Sequence, residues 1–120
     1  MSKARERAVA DVFFALGDGT RLSVLQKLGS GGAQSATALS DGAKVTRQAI
    51  VKHLQVLEGA GLVDHQKRGR AVLYALKPDR LDDARVFLEE VSASWDRAIE
   101  RLRRLVEDLP SAPGPAKRTF

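Results

Sequence analysis

The stretch VTRQAIVKHLQVLEGAGLV, residues 45–63, decides the fold of this chain. Ile50, Leu54 and Leu57 recur at the spacing of one helix face, and the hydroxyl of Thr46 can cap the helix that carries them. Gly61 is the expected left-handed residue just past the helix end. The opposite face is polar and cationic and comprises Arg47, Gln48, Val51, Lys52 and Gln55. The stretch therefore predicts an amphipathic helix with a basic outer face and no catalytic group.

Three further helices are predicted before this stretch. Apolar residues at helical spacing indicate a first helix over about residues 4–16. Asp18 is the expected cap of a second helix that ends at Leu28, before a GSGG loop at residues 29–32. A short third helix is expected to begin after Ser35. The inward side chains of the second helix are predicted to be Leu22, Leu25 and Leu28.

A β-hairpin and a long helix are predicted after the stretch. The sequence LVDHQKRGRAVLYAL, residues 62–76, alternates around KRGR, where Gly69 is the turn residue. Asp79 is the expected cap of a final helix of about 30 residues, roughly 45 Å long. Its apolar residues repeat in 3-4 alternation, as in a coiled-coil seam: Leu81, Ala84, Leu88, Val91, Trp95, Ala98, Leu102, Leu105 and Leu109.

The seam is too long to be covered by so small a body, so a second copy of the chain is expected to cover it. Phe13 and Phe14 on the first helix add to the apolar surface. The sequence therefore predicts a homodimer formed by the first and last helices. The predicted interface comprises Val9, Phe13, Phe14, Leu88, Val91, Trp95, Ile99 and Leu102.

Composition bounds the class of protein. The 120 residues suit one domain, placed at residues 1–110, and the tail at residues 111–120 is expected to be disordered. A net charge of +5 favours a polyanionic partner. The chain has no cysteine, which excludes disulfides, thiolate metal sites and cysteine nucleophiles. No segment resembles a signal peptide or membrane span, so a cytoplasmic location without membrane contact is expected.

The order of elements predicts a mainly α-helical fold with a small β-hairpin (α+β). A short helix, a turn and an amphipathic helix form a helix-turn-helix, whose second helix places its first residues in the major groove of double-stranded DNA. Arg47 can read guanine, Gln48 adenine and Val51 a thymine methyl group. The hairpin then forms a wing on the DNA backbone or minor groove. The predicted DNA-contacting residues are Thr46, Arg47, Gln48, Val51, Lys52, His53, Lys67, Arg68 and Arg70.

These residues resemble the ArsR-type winged helix-turn-helix repressors. Residues 45–63 resemble the recognition-helix signature of that family, DGTRLSVLQKL its second helix, and RGRAVLYAL its wing. LDDARVFLEEVSASWDRAIERLRRL resembles the last helix of the cysteine-free branch, often encoded beside START-like lipid-binding domain proteins. The resemblance covers about residues 8–108 and implies a homodimeric, sequence-specific repressor of transcription that binds an imperfect palindrome.

The sequence departs from the family pattern at several positions. Gly19 stands where proline is usual, and Val51 stands where serine or threonine is usual. The thiolate sensing motif is absent, and residues 79–109 contain no histidine for the second type of metal site. We therefore expect no cofactor and no metal, including at the carboxylates of the last helix, which are expected to be solvated or paired with arginine.

Several alternatives remain open from the sequence. The basic face could belong to an architectural or nonspecific DNA-binding protein, or be an ordinary solvated face of an interaction module. His53 could be a structural residue or could face a phosphate, and a role as a metal ligand is less favoured. A small apolar inducer near Trp95, a partner protein, or no signal at all could relieve repression. An enzyme is least favoured, since no His–carboxylate cluster or Gly-rich phosphate loop is present.

Overall fold

The computed structural model describes residues 2–109, which form five helices and a small antiparallel sheet. The predicted tail at residues 111–120 lies outside the described residues. The elements are α1 (Lys3–Leu16), α2 (Gly19–Gly31), β1 (Gln34–Ser35), α3 (Ala36–Ser40), α4 (Arg47–Gly59), β2 (Val63–Arg68), β3 (Ala71–Leu76) and α5 (Pro78–Glu107). The mainly α-helical winged architecture predicted from the sequence is confirmed.

The helix starts follow from local hydrogen bonds. The side chains of Asp18, Ser35 and Thr46 each accept a hydrogen bond from the backbone N–H three residues further along, as the sequence predicted. Ser2 caps α1 in the same way. Beyond α4, Gly61 adopts a φ of 77°, so this position requires the left-handed conformation that glycine allows.

A single apolar core joins the first four helices to the wing. Leu39 of α3, Leu54 and Leu57 of α4 and Leu62 are fully buried, and Val12 of α1 packs in the same cluster. Removing one such leucine side chain costs about 2–5 kcal/mol because it leaves a cavity. The apolar face of α4 packs in this core, so the opposite, polar face of the helix is held in a fixed position toward solvent.

Two details of the α2 prediction are wrong. The helix continues through the glycine run to Gly31 and ends at Gly32, whose N–H donates to the carbonyl of Leu28. Leu22 is exposed, whereas Val24 is buried with Leu25 and Leu28. The buried stripe is rotated away from Leu22 because α2 packs against both α1 and α4.

The sheet has three strands in the order β1-β3-β2, all antiparallel. The hairpin is confirmed, with Arg68 opposite Ala71 and Gly69 in the turn at a φ of 61°. The sequence did not predict β1, a two-residue strand in which Gln34 pairs with Tyr74. This strand leads directly into α3 and so joins the helix-turn-helix to the wing.

The last helix begins two residues earlier than predicted, because Asp79 as cap implied that Arg80 would be the first helical residue. Pro78 is its first residue, and Asp79 lies in its first turn. Proline suits this position because it has no N–H to leave unpaired and its φ is already helical.

The chain divides into two compact units, with the boundary between Phe87 and Leu88. The first unit contains the core, the helix-turn-helix and the wing. The second is the C-terminal part of α5, on which Trp95, Ile99 and Leu102 are exposed. Its charged residues pair along the helix, as Glu100 does with Arg103 and Arg104. None of the helices within residues 2–109 is both long and apolar enough to cross a bilayer.

Candidate nucleic-acid interface

The N-terminal half of α4 presents a polar face, which we call the recognition face and define as Thr46, Arg47, Gln48, Val51 and Lys52. All of these side chains are exposed except Val51, which is partly covered. The free amide groups at the start of the helix, after the Thr46 cap, favour an approaching anion. A helix that enters the major groove needs this combination: an apolar face packed on the core, and exposed hydrogen-bonding side chains on the opposite face near its N-terminus.

The wing lies beside the recognition face. Arg47 and Val51 of α4, Thr37 of α3, and Arg70 and Val72 of the hairpin line one cleft. The predicted residues Arg47, Val51 and Arg70 are therefore brought together by the fold. Lys67 and Arg68 are exposed on β2.

The cations of this surface have no ion-pair partner in the part of the chain that the structure describes. None of the ion pairs formed within residues 2–109 involves Arg47, Lys52, Lys67, Arg68 or Arg70. Several arginines outside this surface do pair with carboxylates, as Arg80 does with Asp83 and Arg85 with Asp82. The positive charge is therefore available to an external polyanion such as a phosphate backbone.

His53 has a different environment from the rest of the predicted contact set. Its Nδ1 lies 3.8 Å from Oδ2 of Asp18 and 3.5 Å from Nη1 of Arg21, and its side chain is 23% exposed. Arg21 in turn donates to the carbonyl oxygens of Ala15 and Phe14 at the end of α1. The ring thus connects α4 to the corner between α1 and α2.

Asp18 is the acidic member of this cluster. Its carboxylate accepts the backbone N–H of Arg21, and this hydrogen bond, with smaller contributions from the charges of His53 and Arg21, lowers the pKa of Asp18 below its ordinary value of 3.8. The cluster therefore combines a helix cap with a link to α4. The sequence predicted the cap but not the link.

A second link joins the C-terminal part of α4 to the wing. Nδ1 of His65 on β2 lies 2.8 Å from Oε2 of Glu58, and its ring lies against Tyr74 of β3 with centroids 5.6 Å apart. Sequence reasoning placed His65 only as a surface strand residue. Neither link has a local signal, because the partners are brought together by the packing of α4 on other elements.

The predicted self-association residues fall in both units. In the first unit, Phe14 is 72% exposed, with the guanidinium of Arg21 over its ring, while Phe13 is half-buried against Phe87. Val9 is 3% exposed and belongs to the core of its own chain, so its side chain offers almost no surface to a second copy. In the second unit, Leu88, Trp95, Ile99 and Leu102 are exposed, and Val91 is half-buried.

Metal ligands are not clustered in the described part of the chain. Residues 2–109 contain no group of three or more histidine, aspartate or glutamate side chains placed to hold a metal ion. Asp82 and Asp83, the acidic pair near the start of α5, instead lie near arginines.

Comparison with known proteins places these features in a family. Residues 16–66 match the model of a helix-turn-helix domain. The chain is 32% identical to an HTH-type transcriptional regulator of Methanocaldococcus jannaschii over 68% of its own length and 92% of that protein. It is 32% identical to an HTH-type transcriptional regulator of Mycobacterium tuberculosis, over 78% of this chain and 83% of that one.

Solved structures similar to this chain belong to the same kind of regulator. An ArsR-like transcriptional regulator from Rhodococcus sp. RHA1 superposes with a TM-score of 0.76 at 38% identity, covering 87% of this chain and 97% of that one. A possible ArsR-family regulator from Mycobacterium bovis, described as a homodimeric winged helix-turn-helix DNA-binding domain, superposes with a TM-score of 0.61 at 28% identity, covering 84% and 93%. The exposed recognition face, the adjoining wing and these similarities lead to one conclusion: the chain belongs to the ArsR-type family of winged helix-turn-helix transcriptional regulators.

Proposed function

We propose that this protein is a homodimeric, sequence-specific DNA-binding regulator that represses transcription by occupying an imperfect palindrome. The observation that carries the proposal is the recognition face, which packs on the core, adjoins the wing, and carries cations that form no ion pair with any residue of the range 2–109. The description of the Mycobacterium bovis relative as a homodimeric DNA-binding domain supports it.

Each residue of the recognition face has a distinct role in this proposal. Arg47 and Gln48 contact guanine and adenine edges, and Val51 contacts a thymine methyl group. Thr46 and Lys52 contact the phosphate backbone. On the wing, Lys67, Arg68 and Arg70 contact the backbone or the minor groove. His53 is left out of the contact set, because its ring packs against Asp18 and Arg21.

Self-association through α5 and Phe14 would give the DNA-binding surface its symmetry. Two recognition helices related by a twofold axis read half-sites whose centres are about 34–36 Å apart, one turn of DNA. The exposed apolar side chains on the second unit supply the surface for this contact. A palindromic operator follows from the twofold axis.

Regulation is proposed to be independent of thiols, of metals and of any bound cofactor. The chain contains no cysteine, and carboxylates alone would bind transition metals weakly and with little selectivity. Relief of repression would then come from a partner protein or from a fall in the concentration of the regulator. An apolar inducer bound near Trp95 is the remaining possibility, and it is less favoured because Trp95 is 65% exposed on the open surface of a helix, whereas ligand pockets are concave.

The experiment that tests the proposal separates base readout from charge. Gln48→Ala should relax the preference at one position in each half-site by about 1–3 kcal/mol. Lys52→Ala should weaken binding to all sequences alike. It should also reduce the slope of log K against log salt concentration by about one, because one phosphate contact is lost. Gln55→Ala is the matched control, since Gln55 is exposed on the same helix two turns further from its N-terminus.

Binding constants for the operator and for single-base variants would be measured by fluorescence anisotropy at several salt concentrations. An unchanged ranking of operator variants in Gln48→Ala would contradict the proposed readout. Equal affinity of the wild-type protein for all duplexes would instead favour the second candidate, a nonspecific architectural DNA-binding protein, which the basic face alone would also permit.

A further inference from the structure

Arg47 is held by a residue outside the recognition helix. Its Nε donates a hydrogen bond to the hydroxyl oxygen of Thr37 on α3, at 3.1 Å. Within residues 2–109, this is the single side-chain hydrogen bond from the recognition face to another element. Thr37 itself sits on a fixed base, because its neighbours Ala36 and Leu39 are buried in the core.

The hydrogen bond restricts what Arg47 can do with its remaining donors. A guanidinium carries five N–H groups and no acceptor. A guanidinium can make a two-point contact either side-on, through Nε and one terminal nitrogen, or end-on, through both terminal nitrogens. Because Nε of Arg47 already donates to Thr37, only the end-on contact is free. This end-on fork matches the O6 and N7 acceptors of guanine. Holding the side chain before binding also reduces the rotamer freedom lost on binding.

The hydroxyl of Thr37 can also donate a hydrogen bond. It accepts from Arg47, which cannot accept in return, and no acceptor for its own proton is present among the described residues. Thr37 lines the cleft between the recognition face and Arg70 of the wing, and it is exposed there. A phosphate oxygen of DNA entering this cleft would accept that proton.

We propose that Thr37 is a positioning residue for specificity: its hydroxyl fixes Arg47 in the end-on geometry that reads one guanine in each half-site, and donates to a neighbouring phosphate. The inference rests on the proposed function. It assigns a role in base readout to α3, the helix that precedes the recognition helix, at a residue that sequence reasoning did not single out.

The test compares two substitutions of similar size. Thr37→Val removes the hydroxyl and keeps the branched shape, whereas Thr37→Ser keeps the hydroxyl. The guanine in question is identified as the operator position whose preference is lost in Arg47→Lys, which keeps the charge but not the planar fork. Affinities for duplexes carrying each base at that position, and at the Gln48 position as an internal reference, would be measured at fixed salt.

We expect Thr37→Val to reduce the guanine preference at that position by about tenfold, with the preference at the Gln48 position unchanged. Thr37→Ser should retain the preference within about twofold. In the Arg47→Lys background, Thr37→Val should change the preference no further, because the two residues act through one contact. A merely structural role would reduce the base preference at every operator position together and lower the thermal unfolding temperature, whereas loss of the phosphate contact alone would lower the affinity for all duplexes and leave the preferences unchanged.

Three results would overturn the inference: an unchanged guanine preference in Thr37→Val, an equal reduction of the base preference at every operator position, or no position whose preference depends on Arg47. If the wild-type protein itself showed no base preference, both this inference and the proposed function would fail. If the wild-type preference and the Gln48 effect were present but Thr37→Val had no effect, the inference alone would fail.

Discussion

Trp95→Ala would remove the largest exposed apolar side chain of α5 from the proposed dimer interface. Trp95 is 65% exposed in the single chain, so most of its surface is available to a second copy. Because the side chain makes few contacts within its own chain, its removal should affect assembly far more than the folding of the first unit. The core residues of that unit, such as Leu39 and Leu54, are untouched by the change.

The expected loss of dimer stability follows from the area of Trp95 that the partner would bury. A tryptophan buries about 150–250 Å² when fully packed, so about 100–160 Å² of each Trp95 remains for the partner. At about 25 cal/mol per Å², this area corresponds to about 2.5–4 kcal/mol for each chain. A symmetric dimer buries two such side chains, and about 5–8 kcal/mol raises its Kd by roughly four to six orders of magnitude.

Sedimentation equilibrium from nanomolar to high micromolar concentration measures this change. The wild-type protein should be a dimer at micromolar concentration and Trp95→Ala a monomer, with the helical circular dichroism of the first unit retained. Arg97→Ala is the control, because Arg97 is exposed and lies about 200° around the helix from Trp95. A Trp95→Ala dimer as tight as the wild type, or a monomeric wild type, would refute the reasoning.

Three further outcomes are expected. Gly61→Ala should destabilise the fold by about 1 kcal/mol or more in urea unfolding, because Gly61 has a φ of 77° and a Cβ there would lie 2.8 Å from Cγ of Arg80. Gly59→Ala is the control: a Cβ at Gly59 meets open space, so this substitution should stabilise the fold by about 0.5–1 kcal/mol, and equal effects of the two substitutions would contradict this account. Since the pKa of Asp18 is lowered by folding, its contribution to stability is present above pH 3.8 and is lost as the pH falls below it, so Asp18→Asn should flatten the acid limb of the stability curve; an unchanged limb would count against the cap. Zinc, nickel, copper or arsenite at low micromolar concentration should leave the protein–operator complex intact in a mobility shift, and release of DNA that is lost in Asp82→Asn or Asp83→Asn would overturn the proposed metal independence.

The parts of the fold that depend on local chemistry could be predicted from the sequence. Asp18, Ser35 and Thr46 cap helices because a short oxygen-bearing side chain before an apolar repeat satisfies free backbone N–H groups wherever the helix packs. The inward face of α4 followed from its 3.6-residue period in the same way. Gly61 could be assigned because it comes directly after that helix.

The features that depend on tertiary packing could not be predicted. The strand β1 is too short to have a period of its own and exists because Gln34 meets Tyr74 of β3. Leu22 is exposed because the packing of α2 sets which side of the helix is inward, and Val9 is buried for a similar reason. A sequence shows which side chains share a face, but not how much of that face the rest of the chain covers.

In the candidate site, too, the features set by local sequence could be predicted and those set by tertiary packing could not. The identity of the recognition face followed from the position of cationic and amide side chains at the start of α4. The contacts that orient it, Thr37 with Arg47 and Glu58 with His65, join residues on different elements and have no spacing rule. His53 was assigned to the DNA surface from its place beside the basic residues, and the proximity of its ring to Asp18 could not be predicted because the two residues lie on different elements.

The measurement that tests the central claim most directly is selection of bound duplexes from a random pool by the wild-type protein at physiological salt, followed by competition titration of the selected sequence. The account predicts an inverted repeat whose half-site centres are about one helical turn apart. It also predicts binding at least about a thousandfold tighter than to random duplex. Recovery of no common sequence, with the same affinity for every duplex, would contradict it.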